Sequence, residues 1–113
     1  MVNVVTYEEV KELASKKTEL IIDVREPKEL EDTGKIPGSI NIPLADLERE
    51  LLSHSDEFLK KFGIEKPDKS APITVHCKMG GRSLKACKLL EQMGYTNLKN
   101  YSGGWSDWKK HLD

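Results

Sequence analysis

The sequence predicts an α/β fold built on a largely parallel sheet. Short β-rich runs alternate with stretches of helical spacing, the pattern of strands joined by crossover helices. Residues 20–24 form an apolar run broken only by Asp23, as expected of a strand covered on both faces. Gly and Pro punctuate the boundaries between these stretches, and no linker or repeat interrupts them.

Residues 2–5 read as the first strand. Thr6 then opens a helix, because Thr6-Tyr7-Glu8-Glu9 fits a capping box in which Thr6 and Glu9 satisfy first-turn amides. Val10, Leu13 and Ala14 give that helix one apolar stripe. Residues 20–24 are the second strand. Glu26-Pro27 starts a short helix, with proline in the first turn where its missing N–H costs nothing. Residues 34–38, containing Ile36-Pro37-Gly38, are a turn-rich connector to a short strand at 39–42, which Pro43 closes. Leu44, Leu47 and Leu51 have helical spacing across 44–52, and a weaker helix runs over 56–62. The polar segment 65–72 is a surface loop. Residues 73–76 are the fourth strand, 77–83 a small-residue loop, and 83–93 a helix ended by Gly94. Residues 98–101 are the last strand, and Gly103-Gly104-Trp105-Ser106-Asp107-Trp108 leads into a terminal amphipathic helix.

Length and composition exclude several classes of function. A chain of 113 residues suits one domain. Nothing approaches the ~18 to 20 consecutive apolar residues of a membrane span. Lys and Arg total 18 against 19 Asp and Glu, a net charge of −1 that argues against a nucleic-acid partner held by bulk positive charge. The first seven residues lack a basic leader or an apolar signal core, so a cytoplasmic protein is expected, or a mitochondrial one if a leader was removed. The two cysteines, Cys77 and Cys87, are too few for a secreted disulfide scaffold. Together with the histidines they show no zinc spacing, and neither a metal nor a cofactor is expected.

Chemistry is expected at Cys77. It ends a central strand just ahead of a glycine-containing turn into a helix, and open α/β sheets bind ligands at such strand ends. A loop with inward amides cradles anions, and the following helix N-terminus adds partial positive charge. Gly80 and Gly81 let the loop close tightly. Lys78 and Arg82 add positive charge, and Ser83 can bond the sulfur or cap the helix, so the thiol should ionise readily.

These residues carry a resemblance. Cys77-Lys78-Met79-Gly80-Gly81-Arg82-Ser83 resembles the active-site loop of the rhodanese family of sulfurtransferases. Asp23-Val24-Arg25-Glu26, Ile36-Pro37-Gly38-Ser39-Ile40-Asn41 with Pro43, and Gly103-Gly104-Trp105 with Trp108 resemble the family's other signatures in the right order. One departure is Lys35, where the family often has histidine.

The resemblance implies a single domain over 1–113, with a five-stranded, mainly parallel sheet flanked by helices on both faces. It implies catalysis by Cys77, which takes a sulfane sulfur from a small anionic donor such as thiosulfate and passes it, as a persulfide, to a thiol or cyanide acceptor. A protein thiol is a further candidate partner. Residues 78–83 are expected to bind substrate, the amides holding sulfur while Lys78 and Arg82 meet the anion.

Two other readings compete with this one. A cysteine phosphatase or arsenate reductase places five residues between Cys and Arg, whereas Cys77 and Arg82 have four between them. A rhodanese-like binding or regulatory module often lacks the cysteine that this chain keeps. Asp23 and Arg25 are expected to support the site as an ion pair or loop anchor. Trp105 and Trp108 are expected in the core and at the pocket rim, and Cys87 is expected to pack in the core. His76, next to Cys77 on the strand, should face the opposite way.

Overall fold

The computed structural model describes residues 2–112, so Met1 and Asp113 of the expected 1–113 span lie outside the described residues. Five strands, β1 (Val2–Val4), β2 (Leu20–Asp23), β3 (Ile40–Asn41), β4 (Ile73–His76) and β5 (Leu98–Asn100), form one sheet. Its order is β1-β5-β4-β2-β3, and every pair is parallel. β4 lies at the centre and is buried throughout.

Six helices cover the two faces: α1 (Tyr7–Lys16), α2 (Pro27–Thr33), α3 (Leu47–Leu52), α4 (Ser55–Phe62), α5 (Gly81–Gln92) and α6 (Gly104–Trp108). On one face Leu47, Leu51, Phe58, Ala86, Cys87 and Leu90 pack on Ile22, Val24, Ile73 and Val75. On the other, Val10 and Ala14 join Ile21, Ile36, Tyr101, Trp105 and Trp108. The expected α/β architecture is therefore observed. The capping box at Thr6 and Glu9 forms as the sequence predicts.

Several boundaries differ for local reasons. β3 has two residues rather than four, because the Ser39 side chain and amide both turn back to the Ile36 carbonyl. The helical stretch at 44–52 divides into a 3-10 turn (Leu44–Asp46) and α3, since Asp46 donates to the Pro43 carbonyl. α5 begins at Gly81, two residues early, which makes Gly81 and Arg82 part of its first turn. Its buried stripe is Ser83, Ala86, Cys87 and Leu90, and Leu84 is 40% exposed. α6 is one short helix continued by a 3-10 turn (Lys109–His111).

Candidate active site

β4 delivers Cys77 to the carboxyl edge of the sheet, and the chain folds back over it into α5. The side chain is buried at 1% exposure, on the same face as Val24, Leu47 and Ala86. Burial alone would not favour a thiolate, but the loop amides supply what water would. Gly80 N–H donates to Sγ at 3.1 Å and Ser83 N–H at 3.4 Å, and the Met79 amide acts in the same sense. The thiol donates to Ser83 Oγ, with Sγ and Oγ 3.5 Å apart. Burial is the largest single influence and pushes the thiol up. The Ser83 hydroxyl and the three amides together outweigh it, so the thiol titrates below its ordinary value of 9.0.

An inward set of amides requires an outward set of carbonyls, and these are held from the far end of the chain. Trp105 N–H donates to the Cys77 carbonyl at 2.8 Å and Ser106 N–H to the Lys78 carbonyl at 3.0 Å. His76 Nδ1 lies 3.3 Å from the same Cys77 oxygen. The approach is so close that a Cβ at Gly104 would stand 2.5 Å from the Cys77 oxygen. Gly80 is constrained in its turn: its φ is +96°, and a Cβ there would stand 2.6 Å from the Ser102 carbonyl. Gly81 has neither constraint, so of the expected glycine pair only Gly80 is needed for the tight turn.

The expected binding residues separate. Lys78 is exposed and Met79 is 74% exposed, whereas Gly80 and Ser83 are buried. Arg82 does not present a bare guanidinium to the sulfur. Its Nη1 and Nη2 donate to the two Glu29 carboxylate oxygens at 2.6 and 3.0 Å. The side-chain hydrogen bonds from Arg82 hold the Glu29 carboxyl down at about 2, against burial, which raises it. Sequence reasoning missed Glu29, because 53 residues separate it from Arg82 and no local pattern links them. It also missed the part played by the Trp105 and Ser106 amides, although Gly103-Gly104-Trp105 marked the segment. A pocket of about 290 Å3, lined by Val24, Glu26, Leu44, Ala45 and Arg82, opens between β2, α5 and the 3-10 turn.

Asp23 and Arg25 lie on the opposite layer. Both are fully buried, and Arg25 grips the Asp23 carboxylate through Nε at 3.1 Å and Nη2 at 2.8 Å. The guanidinium also donates to Thr33 Oγ1 and the Gly34 carbonyl, and it lies 5.1 Å over the Trp105 ring. The pair thus braces the end of β2 and the tryptophan whose amide holds the Cys77 carbonyl. His76 is buried beside it, with Nε2 3.7 Å from Asp23 Oδ2. Burial dominates and lowers its pKa, leaving the imidazole neutral, while the Asp23 charge acts in the opposite direction. Cys87 is pushed up to about 12, chiefly by burial, and sits in the core. Lys35 donates to the Ser39 carbonyl, bracing the connector ahead of β3.

Comparison with known proteins agrees with this fold. Residues 6–111 match the model of the rhodanese-like domain. The chain is 43% identical over 103 residues to the rhodanese domain-containing protein CG4456 of Drosophila melanogaster, covering 91% of this chain and 93% of that one. It is 33% identical to the thiosulfate:glutathione sulfurtransferase of Homo sapiens, covering 92% and 90%. Its fold is similar to the solved human single-domain sulfurtransferase TSTD1, with TM-score 0.88, 32% identity and 97% of both chains covered.

Proposed function

The chain belongs to the rhodanese-like domain family, and on that premise we propose that it is a sulfurtransferase that carries sulfane sulfur on Cys77 as a persulfide. The observation that carries this reading is the pair of amides, from Gly80 and Ser83, that donate to one buried sulfur. Such a cradle stabilises the attacking thiolate and then the persulfide anion, with its dipoles fixed before the donor arrives.

Thiosulfate is the proposed donor. The Cys77 thiolate attacks the sulfane sulfur, a new S–S bond forms, and the old one breaks with its electron pair leaving on sulfite. One thiolate and one dianion become one persulfide anion and one sulfite dianion, so the step needs neither a proton donor nor an oxidant. A thiol, cyanide or a protein thiol then takes the outer sulfur and restores the thiolate. The ring also weighs against phosphate chemistry, since Arg82 is turned to Glu29 rather than around an oxyanion. Among the described residues no helix is long and apolar enough to cross a membrane. Residues 1–113 are proposed to act as one domain, in a reducing compartment that keeps both cysteines as thiols.

Two measurements test the proposal. Thiosulfate should release sulfite when cyanide or a thiol is supplied. Without acceptor it should leave a mass gain of one sulfur, about 32 Da, that reductant removes. Cys77→Ser should lose both signals while keeping its circular dichroism. Sulfite release undiminished in Cys77→Ser would overturn the assignment, and phosphate-ester hydrolysis in its place would favour the phosphatase reading.

A further inference from the structure

The sequence leads one to expect two cations, Lys78 and Arg82, drawing a dianion towards Cys77. The structure commits one of them. Arg82 is bound at both of its terminal nitrogens by Glu29, in a partly exposed pair with side chains 36% and 31% accessible. Glu29 is itself fixed, because its Oε1 also accepts the Glu26 amide at 3.0 Å in the capping box of α2. Glu26 then lines the same pocket as Arg82 and brings a carboxylate to it. The remainder of that lining is Val24, Leu44 and Ala45, which is apolar.

We infer that Glu29 is a specificity-determining residue: by occupying Arg82 it discounts the second negative charge of a donor and tilts the first half-reaction towards monoanionic sulfane donors with an apolar end. This inference rests on the sulfurtransferase reading above. It fits a pocket whose walls are aliphatic and whose arginine is already matched. It also sets Glu29 apart from the catalytic residues, since its effect reaches the donor through Arg82.

Thiosulfate and the methanethiosulfonate anion are a matched pair of probes, because a methyl group replaces one charged oxygen and the sulfane sulfur is retained. With the second donor, the Cys77 thiolate takes that sulfur and methanesulfinate leaves with the electron pair, one negative charge on each side before and after. The ratio of kcat/KM for thiosulfate to that for methanethiosulfonate is the readout. In Glu29→Gln, which keeps an oxygen to cap α2 but loses the charge, the ratio should rise about fivefold. Such a factor matches one unit charge acting across several ångströms of near-surface medium.

The change should fall on KM for thiosulfate rather than on kcat, and should shrink in 0.5 M salt. Glu29→Asp keeps the charge and should hold the ratio within about twofold of wild type. The double variant Glu29→Gln/Arg82→Gln, neutral like the native pair, should return the ratio towards the wild-type value. If Glu29→Gln fails to fold, Arg82→Gln serves instead and should lower the ratio by a similar factor. A ratio unmoved by these changes, in a wild type that consumes both donors, overturns the inference and leaves the sulfurtransferase reading standing. A wild type that releases neither sulfite nor methanesulfinate overturns both.

Discussion

Gly80 and Gly81 are adjacent and chemically identical, yet the structure predicts opposite outcomes for the same substitution. In Gly80→Ala the new methyl group would stand 2.6 Å from the Ser102 carbonyl oxygen, on a residue whose φ is +96°. A non-glycine residue in such a conformation costs about 1–3 kcal/mol, and forced overpacking costs a similar amount. Relaxation shares part of these, so about 2–4 kcal/mol is expected in total, or ~8–16 °C in Tm for a chain of this length.

The strain also has a direction. Moving residue 80 away from Ser102 displaces the amide that donates to Cys77 Sγ at 3.1 Å. A hydrogen bond to a charged acceptor is worth about 1.5–3 kcal/mol, which would raise the thiol titration by about 1–2 pH units. Gly81→Ala meets no atom within 4 Å and lies in the first turn of α5, so it should be neutral or stabilising by up to about 1 kcal/mol. Thermal melts paired with the pH dependence of Cys77 alkylation, followed by intact mass, would read both effects. Equal Tm values and equal alkylation profiles for the two variants would refute the reasoning.

Other outcomes follow from the same geometry. Arg25→Met should cost about 3–5 kcal/mol in denaturant melts, because it leaves the buried Asp23 carboxylate without its cation; Asp23→Asn added to it should recover part of that loss. Cys87→Ser should keep near-normal sulfite release, since a thiol pushed up to about 12 stays protonated at neutral pH; a collapse in turnover would give Cys87 a chemical role. Stability should fall on the acid side in two windows, read from Tm against pH. His76 is neutral in the fold with its pKa lowered, so the unfolded chain gains a proton first and stability declines as pH falls below 6.5. Glu29, at about 2 when folded and 4.5 otherwise, contributes stability present above 4.5 and lost as pH falls towards 2; Glu29→Gln should flatten that second window.

The sheet and its helices were legible because they repeat local signals. The apolar run of β2, the capping box at Thr6 and Glu9, and the stop at Gly94 each lie within a few residues of chain. Cys77 was legible for the same reason, since strand, small-residue loop and helix are consecutive. What sequence reasoning could not supply were pairings across long separations. The Arg82–Glu29 pair joins α5 to α2, and the Trp105 and Ser106 amides are presented by α6, so neither leaves a periodic trace. The role of Gly104 escaped for a related reason: a residue without a side chain shows its purpose only through the backbone atoms that press on it. The Asp23–Arg25 pair was expected as a support, but only the fold shows that its guanidinium lies on Trp105.

The two amides that restrain the Cys77 and Lys78 carbonyls belong to α6, well downstream of the cysteine loop. A fragment that stops short of α6 keeps the residues of the strand, the turn and the helix, but it lacks the two amides that hold those oxygens away from the sulfur. The thiol of such a fragment should therefore ionise less readily than that of the whole domain.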